Sequence, residues 1–243
     1  MAGFYREDTA YIHDVGHADF ALRSAPGILE ILKENGLRDG LVVDLGCGSG
    51  QWARELLRAG YRVLGIDISE DMVELARQKA PRAEFRVGSL FEAEIPLCDA
   101  VTAASEVLNY LFDPQNEERG LDRLFGRVHD SLRPGGVFVF DVLGPGQVPP
   151  GTLSRGWSAG EDWAVLNEKE EDEGAGTMER RIFSFRKVGE LYRRDGEVHR
   201  VRLYAPEEIE AGLGRAGFEV TTARAYGDYP LGANHAAFVA RKS

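Results

Sequence analysis

The chain has 243 residues, with 40 acidic and 29 basic side chains and a formal net charge of −11. This acidic balance disfavours a nucleic-acid surface, which normally presents a basic stripe. The length and the hydrophobic fraction of 43% fit one globular domain with an insertion. No apolar run reaches membrane-spanning length and the first residues lack the apolar core of a secretory signal, so a cytoplasmic protein is expected. Cys47 and Cys98 form neither a disulfide framework nor a zinc spacing, and no metal is expected.

The first two thirds of the chain show helical and then alternating patterns. Residues 19–36 have helical periodicity, and Pro26 is expected to divide this helix or to begin a second one. Strands are predicted near 41–45, 61–66, 83–88, 98–104 and 136–142, and helices near 50–59, 70–80 and 116–132. Alternation of this kind predicts parallel strands joined by right-handed crossovers.

The pattern changes after residue 143. A loop rich in glycine and proline leads into residues 163–204, which alternate as strands do. Within them, Asp195-Gly196 has the composition of a two-residue hairpin turn. These features predict a small antiparallel insertion. A helix is then expected to begin at Pro206 and to end at Gly217, before a final pair of strands.

The segment 42–50 is the most informative stretch. It combines an apolar strand, a turn containing Gly46, Gly48 and Gly50, and a helix, which together form a nucleotide-binding corner in open α/β sheets. Gln51 stands where a dinucleotide fingerprint would have its third glycine. Asp67 ends the next apolar run, where a carboxylate can take both hydroxyls of a ribose. The alternatives are a turn without a ligand and, for Asp67, a helix cap.

The pattern Asp44-x-Gly46-x-Gly48-x-Gly50, followed by Asp67, resembles motif I of the class I S-adenosylmethionine-dependent methyltransferases. The resemblance implies an α/β fold with a Rossmann-like seven-stranded sheet, mostly parallel with an antiparallel last strand. It also implies a division of the chain into a helical cap over 1–40, a cofactor-binding domain over 41–143 and 205–243, and a substrate-facing antiparallel insertion over 144–204.

The resemblance also assigns cofactor contacts. S-adenosylmethionine is expected to lie against Tyr11, Asp44, Gly46, Cys47, Gly48, Gly50, Asp67, Ile68, Met72, Ser89, Leu90 and Ala104. Ile68 and Leu90 would hold the adenine between them. The alternative is that both side chains simply pack in the hydrophobic core. Ser89 stands where the family often has an acid that accepts from the adenine amino group, and this departure weakens the expectation at that point.

The catalytic expectations concern three polar residues. Glu106 and Asn109 follow the fourth strand and could orient a nucleophile, or they could simply satisfy a turn. His17 could act as a general base, in an N-terminal segment that closes over the cofactor. The segment 105–110 lacks the Asn/Asp-Pro-Pro-Tyr/Phe motif of the DNA amino-methylating relatives. Further candidates are Arg155, Trp157, Trp163 and His235.

The expected function is methyl transfer to a nitrogen or oxygen of a small metabolite. Such a reaction is an in-line displacement that mainly needs alignment and exclusion of water. A base is needed only when the nucleophile arrives protonated, so the sequence leaves the acceptor open. The rivals are a sensor or scaffold that binds the cofactor without turnover, and a protein methyltransferase. A nicotinamide oxidoreductase is disfavoured by the glycine spacing and the terminal strands.

Overall fold

The computed structural model of the protein describes residues 4–116 and 120–243. The helices are α1 (Glu7–Gly16), α2 (Asp19–Glu34), α3 (Gln51–Arg58), α4 (Glu70–Lys79), α5 (Gly120–Ser131) and α6 (Pro206–Arg215). The strands are β1 (Leu41–Leu45), β2 (Arg62–Asp67), β3 (Glu84–Val87), β4 (Cys98–Ala103), β5 (Leu132–Leu143), β6 (Ser154–Ala159), β7 (Trp163–Asp172), β8 (Thr177–Val188), β9 (Leu191–Arg202), β10 (Phe218–Ala223), β11 (Ala225–Tyr226), β12 (Tyr229–Pro230) and β13 (His235–Lys242). Residues 117–119, at the start of a predicted helix, lie outside the described part. No described helix is both long and apolar enough to cross a membrane.

The main sheet has seven strands in the order β10-β13-β5-β4-β1-β2-β3. Strand β13 runs antiparallel to both of its neighbours, and the other six strands are mutually parallel. This arrangement confirms the predicted fold class. The strand order reverses between β1 and β4, and a crevice for a ligand opens at the carboxyl ends of the strands at such a switch point.

Helices cover both faces of this sheet because successive residues of its central strands are buried on opposite sides. Val43 and Leu45 pack on the face covered by α5 and α6, whereas Val42 packs on the face covered by α2, α3 and α4. Strands that are apolar on both faces are typical of parallel sheets. The resulting three layers hold the carboxyl ends of β1, β2 and β4 in fixed positions.

A second sheet of four antiparallel strands, β6-β7-β8-β9, lies within residues 144–204. The predicted turn at Asp195-Gly196 is wrong, because both residues lie inside β9, opposite β8. Val188 pairs with Leu191, so the two-residue turn consists of Gly189, at φ +63°, and the residue after it. A positive φ at the first turn position suits hairpins, and the long β8–β9 ladder outweighs the local signal at 195–196.

The expectation for Pro26 is also wrong, since α2 runs through it without interruption. Pro26 lies on the exposed side of the helix, while Gly27 and Ile28 are buried. A Cβ atom on Gly27 would lie 2.2 Å from the Tyr226 backbone, so this helix packs directly on β11. Packing of the buried face compensates for the backbone hydrogen bond that the proline removes.

Candidate functional site

The glycine turn after β1 has three residues with positive φ: Gly46 at +70°, Gly48 at +50° and Gly50 at +75°. A Cβ atom on Gly46 would lie 2.6 Å from Val107, and one on Gly50 would lie 2.9 Å from Ala76. At Gly48 a Cβ atom would meet nothing within 4 Å. Packing therefore requires two of the glycines, whereas Gly48 leaves open space where a ligand can approach the backbone.

Asp67 lies at the carboxyl end of β2, beside this turn. Its carboxylate accepts the N–H of Gly48 at 2.8 Å and the N–H of Ser69 at 2.9 Å. Ser69 caps α4 by accepting the N–H of Met72 at 3.2 Å, as expected. Asp67 thus braces the turn, and each carboxylate oxygen keeps a further lone pair for a ligand hydroxyl. Burial raises its pKa.

Asp44 lies beneath the turn and is only 3% exposed. It accepts a hydrogen bond from the Thr102 hydroxyl at 2.8 Å, and that hydroxyl accepts the indole N–H of Trp52 at 3.1 Å. Burial, together with the nearby charge of Asp67, raises the pKa of Asp44 to about 7. A carboxyl group with this pKa is poised to lose its proton when a cation binds near it.

A cavity of about 360 Å³ opens at the carboxyl ends of the parallel strands, between the main sheet, α1 and the second sheet. The expected cofactor residues that line it are Gly46, Gly48, Asp67, Ile68, Met72, Leu90 and Ala104. Asp44, Cys47 and Gly50 do not line it. The structure therefore brings most of the predicted cofactor residues to one surface, as expected for strands that end at the same edge of a sheet.

Helix α1 forms the roof of the cavity and connects its two walls. Asp14 accepts the hydroxyl of Ser49 at 2.6 Å and the amide of Gln51 at 2.9 Å, next to the glycine turn. At the other end of the helix, Asp8 forms an ion pair with Arg186 on β8 at 3.2 Å. The helix is thereby attached to both sheets, and it closes the cavity from above.

The structure places Tyr11 outside the lining of the cavity, contrary to the expectation that it contacts the cofactor. The Tyr11 hydroxyl donates to Asp162 at 2.8 Å, and the Arg186 guanidinium lies 3.8 Å from the centre of its ring. Tyr5 lines the cavity instead, with its hydroxyl 2.8 Å from that of Tyr110. Both Tyr5 and Tyr11 belong to the same N-terminal stretch, but only the orientation of α1 decides which of them faces inward.

Ser89 also has a different role from the expected one, because it does not line the cavity. Its hydroxyl donates to Asp113 at 2.6 Å and accepts the N–H of Phe91 at 3.0 Å. Asp113 does line the cavity and is 5% exposed. The acid beside Ser89 in the cavity wall therefore comes from a later segment of the chain. Sequence reasoning missed Asp113 because it lies 24 residues from Ser89 in an irregular region.

Glu106 lines the cavity and forms a two-pronged ion pair with Arg180 of β8, with N–O distances of 2.6 and 2.8 Å. Both side chains are largely buried, at 17% and 14% exposure. A planar guanidinium that binds both carboxylate oxygens fixes the orientation of each group. Sequence analysis missed Arg180, because its inward position depends on the register of the second sheet.

The backbone that carries Glu106 is strained. Ser105 and Glu106 have φ values of +71° and +56°, a region that costs non-glycine residues of the order of 1–3 kcal/mol each. The buried carboxylate of Asp141 holds both residues by accepting their N–H groups at 2.9 and 2.8 Å. The same carboxylate accepts Tyr226 Oη at 2.9 Å and lies 2.6 Å from His235 Nε2. His235 therefore supports the site through Asp141.

Asn109 is fully buried, and its amide bonds to the backbone. The side chain donates to the carbonyls of Leu143 and Arg202, at 3.0 and 2.6 Å, and accepts the N–H of Leu143 at 3.1 Å. It does not line the cavity, so the expectation that it orients a nucleophile is corrected. Asn109 instead ties the end of β5 to the end of β9.

His13 of α1 and His17, the residue that follows the helix, both line the cavity. His17 lies at its outer end, 3.4 Å from the Ser158 hydroxyl, and burial lowers its pKa. Burial lowers the pKa of His13 to about 4, so this imidazole is neutral near pH 7. Among the described residues, Nδ1 of His13 has no hydrogen-bond partner. His13 is therefore better placed than His17 to contact a bound acceptor.

The aromatic and basic candidates of the insertion lie mostly outside the site. Trp157 is 78% exposed, and Arg155 pairs with Glu168 at 2.8 Å on the same outer face. Trp163 is buried against Ile12 of α1, and a Cβ atom on Gly16 would lie 2.2 Å from its ring. Trp163 therefore helps to seat the roof of the cavity.

Replacing Asp141 with asparagine is expected to lower the free energy of unfolding by about 2 kcal/mol, because an amide cannot accept from all four donors and leaves a buried group unpaired. Urea denaturation measures this change. Asp130→Asn, at a position where the side chain is 86% exposed, is the matched control and should change stability little. A loss below about 0.5 kcal/mol in Asp141→Asn would contradict the role of Asp141 in holding residues 105–106.

The strand order, the single antiparallel strand next to the fifth strand and the glycine turn at the switch point define the class of protein. Residues 42–136 match a family model described as a methyltransferase domain. In this stretch of sequence and in its fold, the chain is similar to the class I S-adenosylmethionine-dependent methyltransferases. S-adenosylmethionine is the cofactor of this class, as the sequence predicted.

Comparisons with individual proteins agree. A Geobacillus sp. (strain WCH70) protein, named as a methyltransferase without a stated acceptor, is 35% identical over 106 residues, so the match spans 42% of this chain and only 41% of that relative. The dTDP-3-amino-3,4,6-trideoxy-alpha-D-glucopyranose N,N-dimethyltransferase of Streptomyces venezuelae is 25% identical over 89% of this chain and 92% of its own length. The crystal structure of an S-adenosylmethionine-dependent methyltransferase from Clostridium acetobutylicum superposes with a TM-score of 0.81 at 21% identity, covering 98% and 99% of the two chains. This last likeness concerns the fold.

Proposed function

We propose that this chain transfers a methyl group from S-adenosylmethionine to a nitrogen or oxygen of a small metabolite. The observation that carries the proposal is one continuous cavity. Gly48 and Asp67 line one end of it, and Glu106, Arg180 and Tyr110 line the other. A volume of about 360 Å³ lies within the range of small-molecule sites.

The residues of the first end fit the cofactor. Gly48 offers open space for a backbone contact, and Asp67 keeps lone pairs for the two ribose hydroxyls. Ile68 is 36% exposed although it lines the cavity, which suits an apolar side chain that a planar base covers. Asp113, held by Ser89, is the acid that can accept from the adenine amino group. When bound, the cofactor supplies an electrophilic methyl group.

The residues of the second end position the acceptor. Helix α1 and the second sheet exclude water from the path of the methyl group, and the Glu106–Arg180 pair gives this wall a fixed polar geometry. His13 stays neutral near pH 7, so it can exchange a hydrogen bond with an acceptor without adding charge. An amine that arrives neutral needs no further base.

An amine on a sugar-like metabolite is the first acceptor class to test. The Streptomyces venezuelae relative, whose name states an amino-sugar substrate, aligns over nearly the whole of both chains. A cavity roofed by α1 favours a small acceptor over a protein side chain, which would need an open groove. The polar end lined by Glu106, Arg180 and Tyr110 offers a place for an acceptor. It therefore favours an enzyme over a sensor or scaffold that binds the cofactor without turnover.

The test is calorimetric titration with S-adenosylmethionine and S-adenosylhomocysteine, with NAD as the control, followed by an assay for labelled methyl transfer. Binding of both sulfur ligands, and transfer to amino sugars rather than to a protein substrate, are expected. Preference for NAD would refute the cofactor site, and transfer to protein alone would refute the small acceptor.

A further inference from the structure

Lys169 lies on β7, on the row of side chains that faces the cavity together with Val165 and Asn167. It pairs across the sheet with Arg180 of β8. Among the described residues, no carboxylate lies within 4.0 Å of its ammonium group, and the group has no hydrogen-bond partner. A charged amine thus faces the cavity without a counter-ion of its own.

The charge of Glu106, the acid that favours the charged form of Lys169, is already balanced by Arg180. Both oxygens of Glu106 are bound by Arg180, at 2.6 and 2.8 Å. Burial, together with repulsion from Arg180, lowers the pKa of Lys169, and Glu106 only partly opposes this effect. Holding an ammonium partly buried beside a like charge costs free energy, and a bound anion would recover it.

The other acids of the cavity, Asp67 and Asp113, do not lie within 4.0 Å of the Lys169 ammonium group either. Asp67 accepts two backbone N–H groups, and Asp113 accepts the hydroxyl of Ser89 and the N–H of Gln115 at 3.0 Å. A second observation points to a missing polar ligand. Thr9 is 7% exposed and lines the cavity, yet among the described residues its hydroxyl has no hydrogen-bond partner.

We propose that Lys169 forms a subsite for an anionic group, a carboxylate or a phosphate, carried by the methyl acceptor. This inference rests on the proposed function, since it concerns the substrate end of the same cavity. The acceptor would then carry its anion toward β7 and its nucleophilic atom toward the cofactor residues. A charge-assisted contact of this kind both binds the substrate and fixes its orientation.

The experiment uses the full chain saturated with S-adenosylhomocysteine and titrated with pyrophosphate, thymidine diphosphate and succinate. The first two probes carry phosphate and the third carries carboxylates. Comparing their affinities shows whether the subsite prefers a phosphate or a carboxylate. At least one probe is expected to bind the wild type. Lys169→Met should weaken that binding about tenfold or more, and Lys169→Arg should stay within about threefold. Lys187→Met, at an exposed position on β8, is the matched control.

The inference is overturned if no probe binds the wild type at millimolar concentration, or if Lys169→Met binds the probes as the wild type does. Affinity for S-adenosylhomocysteine is measured on every variant and should not change, which also shows that each variant is folded. If the wild type fails to bind S-adenosylhomocysteine, the proposed function fails. The anion titrations without that ligand then still decide the role of Lys169.

Discussion

Asp67→Ala should weaken the binding of S-adenosylhomocysteine about 100- to 1000-fold. The carboxylate is placed to accept two hydrogen bonds from the ribose, and charge-assisted bonds of this kind contribute about 1.5–3 kcal/mol each. A total of about 3–4 kcal/mol corresponds to this change in affinity. Isothermal titration calorimetry at pH 8 measures the effect.

Part of the lost affinity would come from a less ordered glycine turn, because Asp67 also accepts the N–H groups of Gly48 and Ser69. Asp67→Asn separates the two contributions, since the amide oxygen still accepts one bond, and its affinity should be intermediate. Asp71→Ala removes the same charge from an exposed position in the first turn of α4 and should bind normally. If Asp67→Ala binds S-adenosylhomocysteine within threefold of the wild-type affinity, Asp67 does not bind the ribose.

The affinity for S-adenosylhomocysteine should rise with pH up to about pH 7 and then level off. Asp44 is protonated below its pKa of about 7 in the free protein, and the ammonium group of the bound ligand favours its ionised form. If binding lowers this pKa by two units, the affinity changes about 100-fold, or about 2.7 kcal/mol, across that range. Binding at pH 6 should therefore release a proton, which calorimetry in buffers of different ionisation enthalpy detects.

Asp44→Asn is the control for this linkage, because the amide does not titrate in this range. The variant should lose the pH dependence that the wild type shows between pH 5 and 7, while any titration of the ligand itself remains. The stability of the free protein has the opposite dependence. An acid whose pKa is higher in the folded than in the unfolded state stabilises less as the pH rises from about 4 to 7. If the wild type and the variant release the same number of protons on binding, the ionisation of Asp44 is not coupled to ligand binding.

Much of the end of the cavity that we propose for the cofactor was predictable from sequence. Glycines with positive φ, an acid at a strand end and apolar strands with alternating helices are local signals, because backbone conformation and burial act over a few residues. They located Gly48 and Asp67, and they led to the correct sheet. The local signals were misleading where long-range pairing prevailed, as at Asp195-Gly196 within β9 and at Pro26 within α2.

The end of the cavity that we propose for the acceptor was decided by the tertiary structure. Glu106 and Arg180 are 74 residues apart, and they meet only because the register of β8 turns Arg180 inward. The packing of distant segments likewise decides that Tyr5 lines the cavity and Tyr11 does not. It also decides that Asp113 lines the cavity beside Ser89. By itself the sequence determined the class of fold and the cofactor corner, since these follow from short-range backbone and burial preferences. Only the packing of α1 and the second sheet against that corner decided which side chains face the acceptor.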